Sequence, residues 1–188
     1  MTLTKKDVGY FARIIGVLLV ITMCVALLLS AVNMITKDKI AANEKAKLEA
    51  AISAIFSNAS SPVTTKLDLS YENETLTSFN LVTDGDAAVG YYAEVSPVGF
   101  KGKVTMLVGL TLNGEVCGIR VISHGETVGI GDKIEDEGFL GTFYGVSTQD
   151  AANKVDLISG ATYSSKAVRN GVSTAINAYN AFYGGAEQ

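Results

Sequence analysis

The chain has 188 residues, which is the length of one domain with an attachment and too short for two working domains. Its net charge of -4 and pI near 5.0 leave no basic surface for a phosphate backbone, so we expect no nucleic-acid partner. Hydrophobic residues make up 48% and the mean hydropathy is +0.28, values that are high for a soluble domain.

The apolar excess lies near the N-terminus. Residues 14–35 read IIGVLLVITMCVALLLSAVNMI, with three polar side chains and no charge. About 20 such residues cross the hydrocarbon core of a bilayer. A cleaved signal peptide is the alternative, but its apolar region usually runs about 7–15 residues and ends in an A-x-A-like cleavage site. The apolar run here is longer, and its LLSAVN segment is a poor cleavage site. We therefore predict a retained single transmembrane helix at 14–35 after an N-terminal tail at 1–13, with the lipid bilayer as a partner.

Charge does not orient this span, because basic residues flank both ends. They are Lys5, Lys6 and Arg13 before it and Lys37, Lys39, Lys45 and Lys47 after it. Cys24 lies inside the span and the other cysteine is Cys117, so no disulfide is predicted.

Residues 36–65 are expected to connect the span to the remaining domain. Residues 36–56 are rich in Ala, Lys and Glu, with apolar residues at helical spacing, and predict a helix. Residues 57–65 read SNASSPVTT, and their polarity and Pro62 predict a linker.

The domain at 66–188 is predicted to be α+β, with an antiparallel sheet packed by helices. Short β-branched runs predict strands at 77–83, 89–96, 103–112 and 115–123, and Asn113-Gly114 between the last two is a strong hairpin signal. A glycine-rich stretch after His124 predicts a long loop with one helical turn, and 149–155 predict a short helix or strand. From Tyr163, apolar residues at spacings of three and four predict a helix that ends at Gly184-Gly185.

Hydroxyl side chains cluster in ISGATYSS, residues 158–165, at the start of that helix. One hydroxyl is enough to cap a helix, whereas a helix N-terminus that a glycine approaches closely can also bind a phosphate. The chain has no Walker loop, and Gly129-Ile130-Gly131 lacks the third glycine of a dinucleotide fingerprint. The sequence has no cluster of histidines and cysteines at the spacing of metal ligands. A hydrolase that used His124 and a serine remains an alternative, although the chain has no G-x-S-x-G motif.

Two motifs resemble FMN-binding domains in which a threonine is esterified to the FMN phosphate. Residues 156–162, DLISGAT, resemble the D-x-x-[ST]-G-A-T signature, and residues 123–131, SHGETVGIG, resemble the H-x-E-T-P-G-L-G loop. Val128 replaces the proline and Ile130 the leucine of that loop. The motif order, the N-terminal span and the length are similar to the G subunit of the Rnf complex, a membrane-bound ferredoxin:NAD oxidoreductase coupled to ion transport.

The resemblance implies the following site, with no catalytic residue and no metal. Thr162 would carry FMN as a phosphoester, and Ser159, Gly160, Ala161 and Ser164, with Ser165, would surround the phosphate. Glu126 and Thr127 are candidates for polar contacts to the flavin or its ribityl chain. Gly125, Gly129 and Gly131 would let the loop approach it, and Lys166 is either an added charge or a surface lysine.

The same resemblance implies a function, partners and a location. The chain would relay electrons within an oxidoreductase complex, without turnover of its own, beside the other membrane and peripheral Rnf subunits and after a flavin transferase has attached FMN. Its domain would lie on the outer face of the cytoplasmic membrane. The alternatives are the C subunit of the sodium-pumping NADH:quinone oxidoreductase, a membrane-anchored scaffold or binding protein without redox function, and a hydrolase.

Overall fold

The structure is a computed structural model that describes residues 5–69, 71 and 73–185. The chain divides into two compact units, Met1–Lys45 and Ala46–Gln188. The predicted tail at 1–13 falls partly outside the described residues, because residues 1–4 are not among them.

The first helix, α1 (Lys5–Ile55), contains the predicted membrane span. Within the described residues, its part Arg13–Ile55 is the one helix long and apolar enough to cross a membrane, with a mean hydropathy of 2.8 in its most apolar stretch and none of that stretch buried. The helices predicted at 14–35 and 36–56 form one continuous helix. No proline or glycine interrupts the chain between them, so the backbone hydrogen bonds continue.

The second unit is built on a five-stranded antiparallel sheet in the order β1-β2-β3-β4-β5. The strands are β1 (Pro62–Lys66), β2 (Leu76–Asp84), β3 (Ala87–Val95), β4 (Thr105–Leu110) and β5 (Val116–Ser123). Each strand pairs with the next along the chain, so every connection within the sheet joins neighbouring strands. The α+β class and the antiparallel sheet are thereby confirmed.

The linker predicted at 57–65 is wrong in its second half, which forms β1. Proline lacks an N–H and is tolerated as the first residue of an edge strand, which is where Pro62 lies. The preceding turn is fixed by Asp84, whose carboxylate accepts the N–H groups of Ser60 at 2.8 Å and Ser61 at 3.1 Å.

The predicted Asn113-Gly114 turn joins β4 to β5. Gly114 has φ +79°, which glycine adopts without strain, and the N–H of Thr111 donates to the carbonyl of Glu115 at 2.8 Å. The Thr111 hydroxyl accepts the N–H groups of Asn113 and Glu115. These local bonds replace ladder bonds at the turn, so β4 ends two residues before the predicted 112 and β5 begins one residue after the predicted 115. β4 also begins at Thr105, two residues after the predicted 103.

Alternating side chains cover the two faces of the sheet. One face carries the larger core with α4 (Thr162–Gly185), and Phe79, Met106, Leu110, Val172 and Ile176 are among its buried members. The other face carries a smaller cluster of Ala51, Ile52, Phe56, Val82, Tyr92, Leu107 and Ile122. α4 begins at Thr162, one residue before the predicted start of this helix.

The glycine-rich stretch after β5 is more ordered than the predicted loop. It contains 3-10 turns at Gly131–Glu135 and Gly141–Phe143 around a short helix, α2 (Glu137–Leu140), which Asp136 caps. Its buried anchors Ile134, Leu140 and Phe143 lie six and three residues apart, too irregularly for a periodic signal. A further helix, α3 (Gln149–Asn153), begins after the cap Thr148, so the predicted element at 149–155 is helical.

Candidate functional site

A cavity of about 340 Å³ lies at the N-terminus of α4. Its walls come from the loop after β5, the start of α4 and the turn between β3 and β4. The lining residues are Phe100, Glu126, Thr127, Ile130, Gly131, Gly160, Ala161, Thr162, Tyr163 and Ser164. Its volume lies near the lower end of the range of roughly 300–1,000 Å³ that is common for small-molecule sites.

The turn that leads into α4 is held by its own hydroxyl groups. Gly160 has φ +82°, which reverses the chain, and the N–H of Ala161 donates to the carbonyl of Ile158 at 3.0 Å. The Ser165 hydroxyl accepts the N–H of Ile158 at 3.2 Å and donates to the carbonyl of Ala161 at 2.9 Å. Ser165 is fully buried, so its oxygen maintains this turn and does not face a ligand.

Thr162 and the first N–H groups of α4 lie at the cavity. The first N–H of the helix with a backbone acceptor is that of Ser165, which donates to Ala161 at 2.9 Å. Among the described residues, the N–H groups of Thr162, Tyr163 and Ser164 have no hydrogen-bond acceptor. Free N–H groups and the helix dipole favour an anion here, and the exposed Thr162 hydroxyl is beside them.

Glu126 joins three segments at the floor of the cavity. Its side chain is only 6% exposed. One carboxylate oxygen, Oε1, accepts the N–H groups of Phe100 at 2.9 Å and Lys101 at 3.1 Å. The other, Oε2, accepts the Ser164 hydroxyl at 2.6 Å. The carboxylate therefore ties the loop after β5 to the Phe100 turn and to the first turn of α4.

These contacts set the charge state of Glu126. Burial alone would raise the pKa of its carboxyl, but the hydrogen bonds from Ser164, Lys101 and Phe100, together with the nearby His124, outweigh burial. The net result is a lowered pKa, so Glu126 is ionised at neutral pH.

Two glycines make room for this carboxylate. A Cβ built on Gly131 would lie 2.8 Å from the Cβ of Glu126 and 3.0 Å from the Ser164 hydroxyl oxygen. A Cβ on Gly99 would meet Glu126 Oε1. Gly131 therefore allows close packing of the loop around Glu126, a structural reason for glycine at this position.

The side chain of His124 contacts Glu126 and Glu135. Its Nδ1 accepts the backbone N–H of Glu126 at 3.2 Å, and its Nε2 lies 3.1 Å from Glu135 Oε1. The histidine therefore orients the Glu126 loop. Its two ring nitrogens both have partners, so the geometry does not offer the serine–histidine pair that a hydrolase requires.

Most of the predicted site residues come together in the structure. The cavity is lined by Thr162, Gly160, Ala161, Ser164, Glu126, Thr127 and Gly131. Ser159 and Gly129 are exposed and do not line it, and Gly129 has φ +81° with its N–H donating to Asp132 at 2.8 Å. Lys166 is exposed on the second turn of α4.

The sequence motifs missed three lining residues, Phe100, Ile130 and Tyr163. Ile130 lies inside the motif at 123–131 and Tyr163 directly follows the motif at 156–162, but the resemblance gives neither residue a role. Phe100 lies 26 residues before Glu126 and contacts the cavity through tertiary interactions, which include the hydrogen bond from its N–H to Glu126.

Acid should weaken the domain through Glu126. Because the folded-state pKa is below the ordinary value of 4.5, the stabilisation is complete above pH 4.5 and is lost as the pH falls through the folded-state pKa. We expect the free energy of unfolding, measured by urea titration at decreasing pH, to fall more steeply below pH 4.5 in the parent than in Glu126→Gln. Equal slopes would contradict this assignment.

Part of the chain, including the cavity, is similar to a known protein family. Residues 99–177 match the family model described as FMN-binding domain. This stretch of the chain is similar to FMN-binding domains. The match includes both the Phe100 turn and all the residues that line the cavity.

Two proteins that are similar to parts of this chain are both G subunits of ion-translocating oxidoreductase complexes. A segment of 52 residues is 50% identical to the G subunit of the ion-translocating oxidoreductase complex of Haemophilus influenzae, covering 28% of this chain and 25% of that protein. A segment of 102 residues is 32% identical to the G subunit of the Na(+)-translocating ferredoxin:NAD(+) oxidoreductase complex of Acetobacterium woodii, covering 48% and 49%. The chain thus spans a quarter to a half of these relatives. The solved NqrC of Shewanella oneidensis is similar at 16% identity and a TM-score of 0.49, covering 71% of this chain and 87% of that one.

Proposed function

We propose that the chain is the membrane-anchored flavoprotein subunit of an ion-translocating ferredoxin:NAD oxidoreductase complex, and that it relays electrons through FMN joined to Thr162. The observation that carries the proposal is the exposed Thr162 hydroxyl beside the free N–H groups of α4, inside the FMN-binding match. The relatives named above are subunits of such complexes.

The residues present fit the phosphate of FMN. The N–H groups of Thr162, Tyr163 and Ser164 would donate to its oxygens, and the positive end of the helix dipole would offset its charge. The ester would form between Thr162 Oγ1 and the phosphorus in a reaction catalysed by a flavin transferase. The donor would be a flavin nucleotide with a phosphoanhydride bond: the Thr162 hydroxyl would lose its proton to solvent, the anhydride P–O bond would break, and a nucleoside monophosphate would leave. When bound, FMN supplies reversible electron acceptance and donation, while the protein positions it.

Glu126 and Ser164 would help to determine where the phosphate binds. The Ser164 hydroxyl donates to Glu126, so its proton is directed away from the anion site, while the Ser164 N–H remains available. The ionised Glu126 would repel a second negative charge deeper in the cavity. The phosphate is therefore kept at the helix N-terminus, near Thr162.

The proposal places the chain among other subunits. It would have no turnover alone, because a relay needs an electron donor and an electron acceptor on either side. The apolar helix would anchor it in the cytoplasmic membrane, with the FMN-binding domain on the outer face.

A denaturing gel tests the covalent flavin. The protein should be produced together with a flavin transferase, boiled in detergent and viewed under ultraviolet light before staining. A fluorescent band at the mass of the polypeptide supports the proposal. A colourless band, from protein whose transferase modifies a known substrate in the same cells, would favour the scaffold alternative.

The orientation gives a separate prediction. Ser60 is exposed, so a cysteine introduced there in a Cys24→Ala, Cys117→Ala background should react with a membrane-impermeant maleimide on intact cells whose outer envelope is permeable. The expected result is equal labelling before and after lysis, since the domain faces outward. Labelling only after lysis would place the domain inside. The cysteine-free background is the control for unspecific labelling.

A further inference from the structure

Two aromatic side chains remain exposed at the mouth of the cavity. The Phe100 side chain is 67% exposed and that of Tyr163 70% exposed, although both residues line the cavity. Their ring centroids are 6.1 Å apart, with 42° between the ring planes. Ile130, which is 51% exposed, also lines the cavity. The mouth of the cavity is therefore apolar, whereas its floor carries the charge of Glu126.

The backbone that carries this pair is fixed from below. Glu126 accepts the N–H of Phe100 with one oxygen and the hydroxyl of Ser164, the residue after Tyr163, with the other. The Phe100 turn is closed by the N–H of Gly99, which donates to the carbonyl of Gly102 at 2.7 Å. One buried carboxylate thus links the Phe100 turn to the helical turn that carries Tyr163. Exposed aromatic rings on a fixed backbone are pre-organised for a flat ligand.

We propose that Phe100 and Tyr163 are the apolar contact surface for the isoalloxazine ring of the FMN held at Thr162. The proposal rests on the proposed function and adds the location of the ring. Tyr163 directly follows Thr162 in the chain. The ribityl chain of an FMN joined to Thr162 would therefore let the isoalloxazine reach the Tyr163 side chain. Aromatic faces stack on flat π systems, which makes the isoalloxazine the part of FMN that matches the pair.

Flavin fluorescence can test the contact. A tyrosine ring that touches an excited flavin donates one electron to it, and the electron then returns without emission of light. Phenylalanine is too difficult to oxidise for this transfer. Tyr163→Phe therefore keeps the ring contact but removes the quenching, whereas Tyr163→Leu removes both.

The experiment uses the full chain, loaded by a flavin transferase and purified in detergent, with FMN content measured by intact mass. Fluorescence is divided by flavin absorbance, so partial loading does not alter the result. We expect a several-fold increase in Tyr163→Phe with an unchanged absorption spectrum. Tyr163→Leu should give a similar increase with a spectrum shifted toward that of free FMN in water, and Phe100→Leu should shift the spectrum while quenching remains.

Tyr144→Phe is the matched control, because Tyr144 is 43% exposed and does not line the cavity; its fluorescence should equal that of the parent. Loaded Tyr163→Phe with parental fluorescence would overturn the aromatic contact alone and leave the pair as a surface for another protein. A parent protein without FMN would overturn the proposed function and this inference together.

Discussion

Replacing Thr162 with alanine is expected to remove covalent FMN completely while the domain stays folded. The attachment oxygen is lost. The hydroxyl groups of Ser164 and Ser165 are buried and hydrogen-bonded, and the exposed Ser159 does not line the cavity, so none of these serines is expected to replace it. The Thr162 side chain is exposed and forms none of the described hydrogen bonds. Its loss should therefore lower the free energy of unfolding by at most about 1 kcal/mol.

Intact-protein mass spectrometry measures the adduct, and thermal unfolding checks the fold. Thr127→Ala is the matched control, because Thr127 is the other threonine that lines the cavity and its variant should still carry FMN. Thr162→Ser keeps a hydroxyl and should keep part of the labelling. An undiminished adduct in Thr162→Ala would disprove attachment at this residue.

Replacing Glu126 with alanine is expected to cause the largest loss of stability within the site. The change removes the acceptor of three donors: the N–H groups of Phe100 and Lys101 and the hydroxyl of Ser164. The buried Ser164 hydroxyl left without an acceptor costs about 1–3 kcal/mol, and the N–H groups of the exposed Phe100 and Lys101 add less because water can replace the carboxylate. The free energy of unfolding should therefore fall by roughly 2 kcal/mol or more. Glu126→Gln should lose less, since its amide oxygen still accepts the backbone N–H groups and its amide nitrogen can donate to Ser164.

Urea unfolding followed by circular dichroism gives these differences. Glu135→Ala is the control, because Glu135 has an exposed side chain and pairs with His124; its loss should cost no more than about 1 kcal/mol. Equal losses for Glu126→Ala and Glu135→Ala would show that the buried carboxylate does not hold the three segments together. A shifted flavin spectrum in Glu126→Ala would follow from movement of the Phe100 turn.

Much of the fold was predictable because its signals are local. Alternating β-branched runs and Asn113-Gly114 predicted the four strands β2 to β5, and helical spacing predicted α4. β1 was missed because a proline in a polar stretch indicates a linker. The stretch forms the edge of the sheet because residues 62–66 pair with residues 80–84, and this pairing joins Pro62 to Asp84, 22 residues later.

The site was predictable where its residues are contiguous. Motifs 123–131 and 156–162 contain most of the lining residues, so their resemblance to known sequences predicted a shared site. The hydrogen bond from Ser164 to Glu126 spans 38 residues, and that from Phe100 to Glu126 spans 26. Tertiary contacts of this kind leave no periodic pattern, so the structural role of Glu126 and the presence of Phe100 could not be read from the sequence.

The distribution of hydroxyl groups along the turn also bears on the order of maturation. In the folded domain Ser164 is 3% exposed and Ser165 is fully buried, whereas Thr162 stays open to solvent at the cavity. If FMN is joined to Thr162 as proposed, a modifying enzyme that meets the finished domain finds this oxygen at the cavity, while the two serine oxygens of the same helical turn are hidden. Folding before flavin loading would thus exclude Ser164 and Ser165 from modification.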